Sequence, residues 1–315
     1  VTVLPTYEDV LNAAERIEPY VHRTPVFTSA YLDSESGTNV FLKAENFQKV
    51  GAFKARGATN ALLLLSDEDA ARGVVTHSSG NHGQAVAYAC AIRDAPATVV
   101  MPDHAPRVKV EAVRGYGAHV VFCAQRERAE TVARLVAEHG YTEVHPFDNP
   151  AVIAGQATAT LELIHQIPDI DVVLAPIGGG GLLAGASIVA TEHGIEVVGA
   201  EPEVVDDSFR SLRDGVRYPA TGAISVADGL LTGIGAIPFA ILSAAHRAVV
   251  TITEDEIIEA MRTLAQRTKL VVEPSGATAI AALIRYSSHF SGKRVGVILS
   301  GGNVGEVASS QFESC

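Results

Sequence analysis

Four glycines in succession, Gly178 to Gly181, stand between a β-branched run ending at Ala175 and an apolar helical pattern opening at Leu182. Successive glycines let backbone N–H groups converge on a phosphate, and the start of the following helix adds partial positive charge. A tight strand-to-helix turn is the plainer reading, but four adjacent glycines lose more backbone entropy than a turn requires. A phosphate cradle is therefore expected. The spacing matches neither a P-loop nor GxGxxG, so a nucleotide is not the first choice of ligand. Ser78-Ser79-Gly80-Asn81-His82-Gly83 also follows a strand pattern and opens a helix. N–H groups there can clamp a carboxylate, and a Ser hydroxyl or Asn amide can bond a ring substituent, although an ordinary N-cap uses the same residue types. His82 is read as structural rather than as a base.

Lys54 sits in the run from Asn46 to Gly57, after a strand pattern and at the start of an alanine-rich helix. On its own it is a surface lysine by default. Ser300-Gly301-Gly302-Asn303 ends an apolar strand, the position where open α/β sheets place ligands, and its plainer reading is another turn.

The elements that position these residues alternate in the manner of parallel βαβ units. Strands are expected at 40–43, 74–77, 98–101, 119–122, 172–175, 196–200, 249–252 and 294–299. Helices are expected at 7–20, 81–92, 105–116, 127–139, 151–165, 182–191, 254–266 and 275–286, the first capped by Thr6. Of the 315 residues, 47% are hydrophobic and 19% charged, ordinary for a folded α/β protein. A net charge of −12 with dispersed acids argues against nucleic acid or an anionic membrane and for a small polar substrate. Cys90, Cys123 and Cys315 form neither zinc spacing nor a disulfide framework, and the first residues lack a signal-peptide pattern, so a reducing cytoplasm is expected. The uncharged stretch 172–191 is long enough to span a bilayer, but Pro176 and the glycine run would break such a helix.

Taken together, Gln48 to Lys54, Ser78 to Gln84, Gly178 to Gly181, Glu273-Pro274-Ser275-Gly276 and Ser300 to Asn303 resemble, in order and spacing, the fold type II enzymes of pyridoxal 5′-phosphate (PLP). More narrowly they resemble the serine racemase and threonine/serine dehydratase family, over nearly the whole chain. The resemblance implies an α/β fold of the tryptophan synthase β-like type. A large open-sheet PLP domain, 1–72 and 150–315, would carry a smaller inserted α/β domain, 73–149, in a homodimer.

By that resemblance Lys54 forms a Schiff base with the cofactor and then acts as base on Cα, chemistry for which a released lysine is already placed. Gly178, Gly179, Gly180 and Gly181 would hold the phosphate, Asn81 the phenolic oxygen and Ser300 the pyridine nitrogen, with Phe53 beside the ring. Ser78, Ser79, Gly80, Asn81 and His82 would receive the substrate. A neutral Ser at the ring nitrogen favours prompt loss of a β-leaving group. Ser79 matches the serine of racemases and hydroxyaspartate dehydratases, where threonine dehydratases usually carry Ala; it would be a second acid/base group opposite the lysine. Glu201 to Asp207 resembles the racemase cation loop, with carboxylates from Glu201 and Asp207 and the carbonyl of Val205. Oxygen ligands suit Mg²⁺ or Ca²⁺, and a solvated acidic loop is the alternative.

Two departures matter. Ala129 stands where racemases carry an Arg, with Arg126 and Arg128 nearby, and Pro146-Phe147-Asp148-Asn149-Pro150 is closer to threonine dehydratases. The expected activity is a serine/threonine ammonia-lyase releasing a 2-oxo acid and ammonia, with racemisation of serine made possible by Ser79. The alternatives are a threo-3-hydroxyaspartate ammonia-lyase, with Arg126 or Arg128 on the second carboxylate, or mainly a serine racemase. The cation loop argues against β-replacement, and Lys54 argues against a non-catalytic phosphate module.

Overall fold

The computed structural model of the protein describes residues 3–78 and 80–304. Ten strands are present among them: Val26–Phe27 (β1), Asn39–Ala44 (β2), Val74–His77 (β3), Ala97–Pro102 (β4), His119–Cys123 (β5), Thr142–Glu143 (β6), Val172–Pro176 (β7), Glu196–Pro202 (β8), Ala248–Ile252 (β9) and Arg294–Leu299 (β10). They form a six-stranded sheet in the order β1-β2-β10-β7-β8-β9 and a four-stranded sheet in the order β5-β4-β3-β6. All pairings are parallel except β1 with β2. Every residue of β4 and β7 is buried. A parallel strand covered on both faces carries a continuous apolar run, and that is how both read in the sequence.

The helices are Tyr7–Ile17 (α1), Ala30–Ser36 (α2), Lys54–Leu63 (α3), Asp67–Arg72 (α4), Asn81–Arg93 (α5), Arg107–Gly115 (α6), Arg128–His139 (α7), Pro150–Gln166 (α8), Gly181–His193 (α9), Asp207–Asp214 (α10), Ala236–Ala244 (α11), Glu254–Thr263 (α12), Pro274–Arg285 (α13) and Ser287–Phe290 (α14). Their starts follow local chemistry. Thr6 and Asp9 form a capping box on α1, Thr253 and Glu256 form another on α12, and α8 opens with Asn149 as cap and Pro150 in its first turn.

Several expected boundaries shift. The first helix ends at Ile17 rather than Tyr20, and α12 passes at Leu264 into a π-helical turn that closes on Lys269 in a left-handed conformation. Two-residue strands β1 and β6 carry no periodicity to read. The acidic loop expected through Asp207 is instead a short 3₁₀ turn, Glu203–Val205, feeding α10. Helices α2, α4 and α11 were not expected: the first two are under eight residues, and α11 is apolar all round.

A buried charge network holds α3 against α8. Arg56 and Lys43 are both fully buried. Arg56 donates to Glu45 on one side and Glu162 on the other, both at 2.7 Å, and Lys43 shares Glu162 at 2.7 Å. Burial alone would lower the basicity of Arg56, but the two carboxylates reverse that and hold it charged.

Candidate active site

Four chain segments meet at one cavity. β3 leads through Ser78 and Gly80 to α5, which opens at Asn81; β7 leads through Gly178 to Gly180 into α9. β10 ends beside Ser300, and α3 opens at Lys54. The cavity wall includes Phe53, Lys54, Ser78, Gly80, Asn81, His82, Gly178, Gly179, Gly180, Gly181 and Ser300. These residues, expected from sequence to share a site, are therefore brought together. Ser79 lies outside the described residues.

Lys54 is the chemical centre of the wall. Its Nζ donates to the carbonyl of Pro146 at 2.8 Å and lies 5.1 Å from the Phe53 ring centroid. Burial pushes its amine down to about 8, with no carboxylate offsetting the desolvation. A half-buried, desolvated lysine so placed is readily a neutral nucleophile or base.

Neither α5 nor α9 has a side-chain cap, which leaves N–H groups of both first turns for an anionic ligand. At Gly179 any Cβ would stand 2.2 Å from the Phe147 ring, and Gly180 is left-handed with φ 87°. Only glycine satisfies both positions. Behind the turn, Gln156 is fully buried and neither atom of its amide has a protein partner, while its Oε1 would be 2.9 Å from a Cβ on Gly181. Uncapped amide groups, an unpartnered buried amide beside the turn and a lysine without a counter-ion fit a phosphorylated aldehyde cofactor.

Asn81 donates through Nδ2 to Glu273 at 2.8 Å. Glu273 is buried in the cavity wall, and that burial, reinforced by Asp228, raises its carboxyl to about 7. His82 is buried, with Nε2 3.0 Å from the Val144 carbonyl, and burial holds it well below its ordinary basicity. A neutral histidine held by the backbone is not placed as a base, and His82 also lines the cavity where it was expected to meet substrate. Burial also pulls His77 down to about 4, helped by His145 and Arg128.

Sequence reasoning missed other members of the wall. Lys109 lines the cavity and forms an ion pair of 2.5 Å with Asp228, joining α6 to the segment before α11. Arg128, one of the two arginines named from the sequence for a second carboxylate, lines it too, whereas the other, Arg126, is exposed and lies 3.9 Å from Glu127. Phe147 packs edge-on to His145 at 4.6 Å, and the carboxylate of Asp148 accepts the N–H groups of Ala236 and Ile237 at 3.0 and 2.8 Å. A motif placed Glu273 and Ser275 near the site, but nothing local told what they touch.

Glu201, Val205 and Asp207 stand apart from this wall and are all buried. Glu201 accepts the N–H groups of Ser208 at 3.3 Å and Phe209 at 2.5 Å, and burial raises it to about 8 with a contribution from Asp207. Burial raises Asp207 to about 6, and its Oδ2 has no partner. Ser208 donates to the Gly178 carbonyl at 3.3 Å, so the acid pair adjoins the glycine turn. Among the described residues no three His, Cys, Asp or Glu side chains cluster as a metal site. Nor is any helix among them long and apolar enough to cross a membrane.

The two sheets, with a lysine at the junction of their strand ends, define a fold type II PLP enzyme. The chain belongs to the family described as pyridoxal-phosphate dependent enzyme, which matches residues 17–301. It is 44% identical to the beta-hydroxyaspartate dehydratase of Paracoccus denitrificans, over 96% of this chain and 97% of that one. Serine racemase from Dictyostelium discoideum superposes with a TM-score of 0.91 at 44% identity, covering 96% of this chain and 99% of the other. The threonine deaminase of T.th. superposes with a TM-score of 0.89 at 42% identity, covering 96% and 99%.

The cofactor supplies the electron sink that acidifies a substrate Cα–H. The protein's own groups supply the rest. The backbone of Gly178 to Gly181 and the α9 terminus would hold the phosphate, Asn81 the phenolic oxygen and Ser300 the pyridine nitrogen. Lys54, its amine lowered to about 8, would take the proton at Cα, and the N–H groups opening α5 would orient the substrate carboxylate.

Proposed function

We propose that this protein removes water and ammonia from a small β-hydroxy amino acid, giving a 2-oxo acid. The observation that carries this reading is Lys54, desolvated and carboxylate-free, at a wall shared with Gly178 to Gly181, Asn81 and Ser300. Serine or threonine is the expected substrate. Arg128 in the wall, which forms no ion pair among the described residues, favours threo-3-hydroxyaspartate as a second reading, since it could meet a distal carboxylate. Ser79 is proposed as the acid/base group on the face opposite Lys54, which would add serine racemisation. An end-point assay of the holoenzyme against L- and D-serine, L-threonine and the hydroxyaspartate isomers decides among these, with ammonia, 2-oxo acid and enantiomer measured together. Absence of 2-oxo acid from every substrate would overturn the lyase reading.

Glu201, Asp207 and the Val205 carbonyl are proposed to hold Mg²⁺ or Ca²⁺, supported by two buried acids and the unpartnered Asp207 oxygen. Residues 73–149, containing β3 to β6, are proposed as the small domain and 1–72 with 150–315 as the large one. A homodimer is proposed, supported by the exposed aromatic pair Phe27 and Phe47; light scattering tests it. Cytoplasmic residence is supported by Cys90 and Cys123 being free thiols.

A further inference from the structure

Val50 lies four residues before Lys54 and adopts φ 55°, ψ 15°, a left-handed conformation that a β-branched side chain strongly disfavours. Gly51 follows with φ 68°. Such strain persists only where the surroundings impose it. Here the strand-end turn after β10 does so: Gly302 N–H donates to the Gly51 carbonyl at 2.9 Å, Phe53 N–H donates to the Ser300 carbonyl at 3.0 Å, and Asn303 Nδ2 donates to the Val50 carbonyl at 2.7 Å. A Cβ on Gly51 would stand 2.6 Å from Asn303 Oδ1, so the two residues are fitted to each other.

The same Nδ2 also donates to Asn81 Oδ1 at 2.8 Å, and Asn81 Nδ2 donates to Glu273 Oε1. This chain has a fixed direction. A backbone carbonyl can only accept, so Val50 obliges Asn303 to present its NH₂ group. Asn81 must then turn its oxygen to Asn303 and its NH₂ to Glu273. One hydrogen of that NH₂ stays free for an acceptor oxygen in the cavity. Asn303 itself is not in the cavity wall.

We infer that Asn303 is a positioning residue with two effects: it holds the left-handed Val50 turn that delivers Lys54, and it sets the amide of Asn81 so that an N–H meets the cofactor's phenolic oxygen. The inference rests on the reading of Asn81 as the partner of that oxygen. Asn303→Asp is the sharpest probe. It keeps the size, loses the donor to Val50 and offers an acceptor to Asn81, which turns the Asn81 amide over.

Apoprotein is titrated with PLP for wild type, Asn303→Asp, Asn303→Ala and the double variant Asn303→Asp with Val50→Gly. Affinity, the visible absorption maximum of the bound form and the melting temperature of the apoprotein are recorded. Asn303→Asp should weaken PLP binding by about tenfold or more, the range for a lost hydrogen bond to a charged group, and should move the absorption maximum. Adding Val50→Gly, which removes the strain, should restore the melting temperature and leave the spectrum shifted. It also supplies a folded protein should the single variants be insoluble. Wild-type affinity and spectrum in Asn303→Asp would overturn the inference, as would recovery of both by Val50→Gly, since Asn303 would then be only a backbone brace. Failure of the wild type to take up PLP is scored before any variant and overturns the cofactor reading itself.

Discussion

Lys54 Nζ donates to the Pro146 carbonyl at 2.8 Å, and burial is the sole cause that lowers its basicity. Below about pH 8 the amine is protonated and cannot attack an aldehyde; above it the neutral form is available. The rate at which apoprotein captures PLP should therefore rise through pH 8 and level off, well below the ~10.4 of an ordinary lysine. Stopped-flow absorbance measures it, and a midpoint near 10 would contradict the burial argument. Lys54→Ala should lose the visible band and lower turnover by about a thousandfold or more while leaving the apoprotein folded.

The acid pair makes a separate prediction. Exhaustive chelation should lower the melting temperature by several degrees, and millimolar Mg²⁺ or Ca²⁺ should restore it, because a ligand that binds only the folded state stabilises by about 2.7 kcal/mol at a hundred times its Kd. Glu201→Gln should abolish that rescue. An unchanged melting temperature after chelation would leave Glu201 and Asp207 as a cation-free cap on α10.

Glu273 sets a pH dependence of the opposite sign from Lys54. Its folded pKa of about 7 lies above the unfolded ~4.3, so as pH rises through this window the unfolded chain gives up its proton first and apoprotein stability falls. Glu273→Gln removes that loss. Denaturant unfolding at pH 4.5 and pH 8 should show the variant gaining roughly 3 kcal/mol on the wild type between the two.

Ser79→Ala should retain PLP binding and elimination from the L-substrate while losing racemisation and any elimination from the D-isomer. Equal loss toward both enantiomers would assign the hydroxyl to substrate binding instead. Chiral chromatography of serine incubated with each protein makes the comparison.

Removal of Arg56 strands the fully buried Glu45 without its ion-pair partner, while Glu162 keeps Lys43. Arg56→Ala should destabilise the protein by about 3–5 kcal/mol. The double change with Glu45→Gln should recover part of it in the same denaturant titration.

Much of the site was legible because its parts are local: a glycine run after a strand, a Ser/Asn turn before a helix and a lysine opening an alanine-rich helix are each contiguous. What could not be read is what those parts touch. Asn81 and Glu273 are 192 residues apart, and Arg56 and Glu162 are 106 apart, pairings that only the tertiary packing of their helices creates. Lys109 looks like any solvated helix cation until Asp228 is brought to it. The π turn after α12 was hidden for a different reason, since its residues continue the helical pattern and only the left-handed Lys269 shows where the register changes.

Lys54 is the first residue of α3, and the opening turn of that helix holds no acid and no capping side chain. The aligned peptide dipoles put partial positive charge at this end, so an ammonium here repels its own helix. An engineer seeking a sturdier protein would fill that turn with Asp or Glu, and in doing so would hand the amine a counter-ion and raise its pKa. The reactivity of this lysine depends on desolvation without a counter-ion, and an acid added to strengthen the start of α3 would remove that condition.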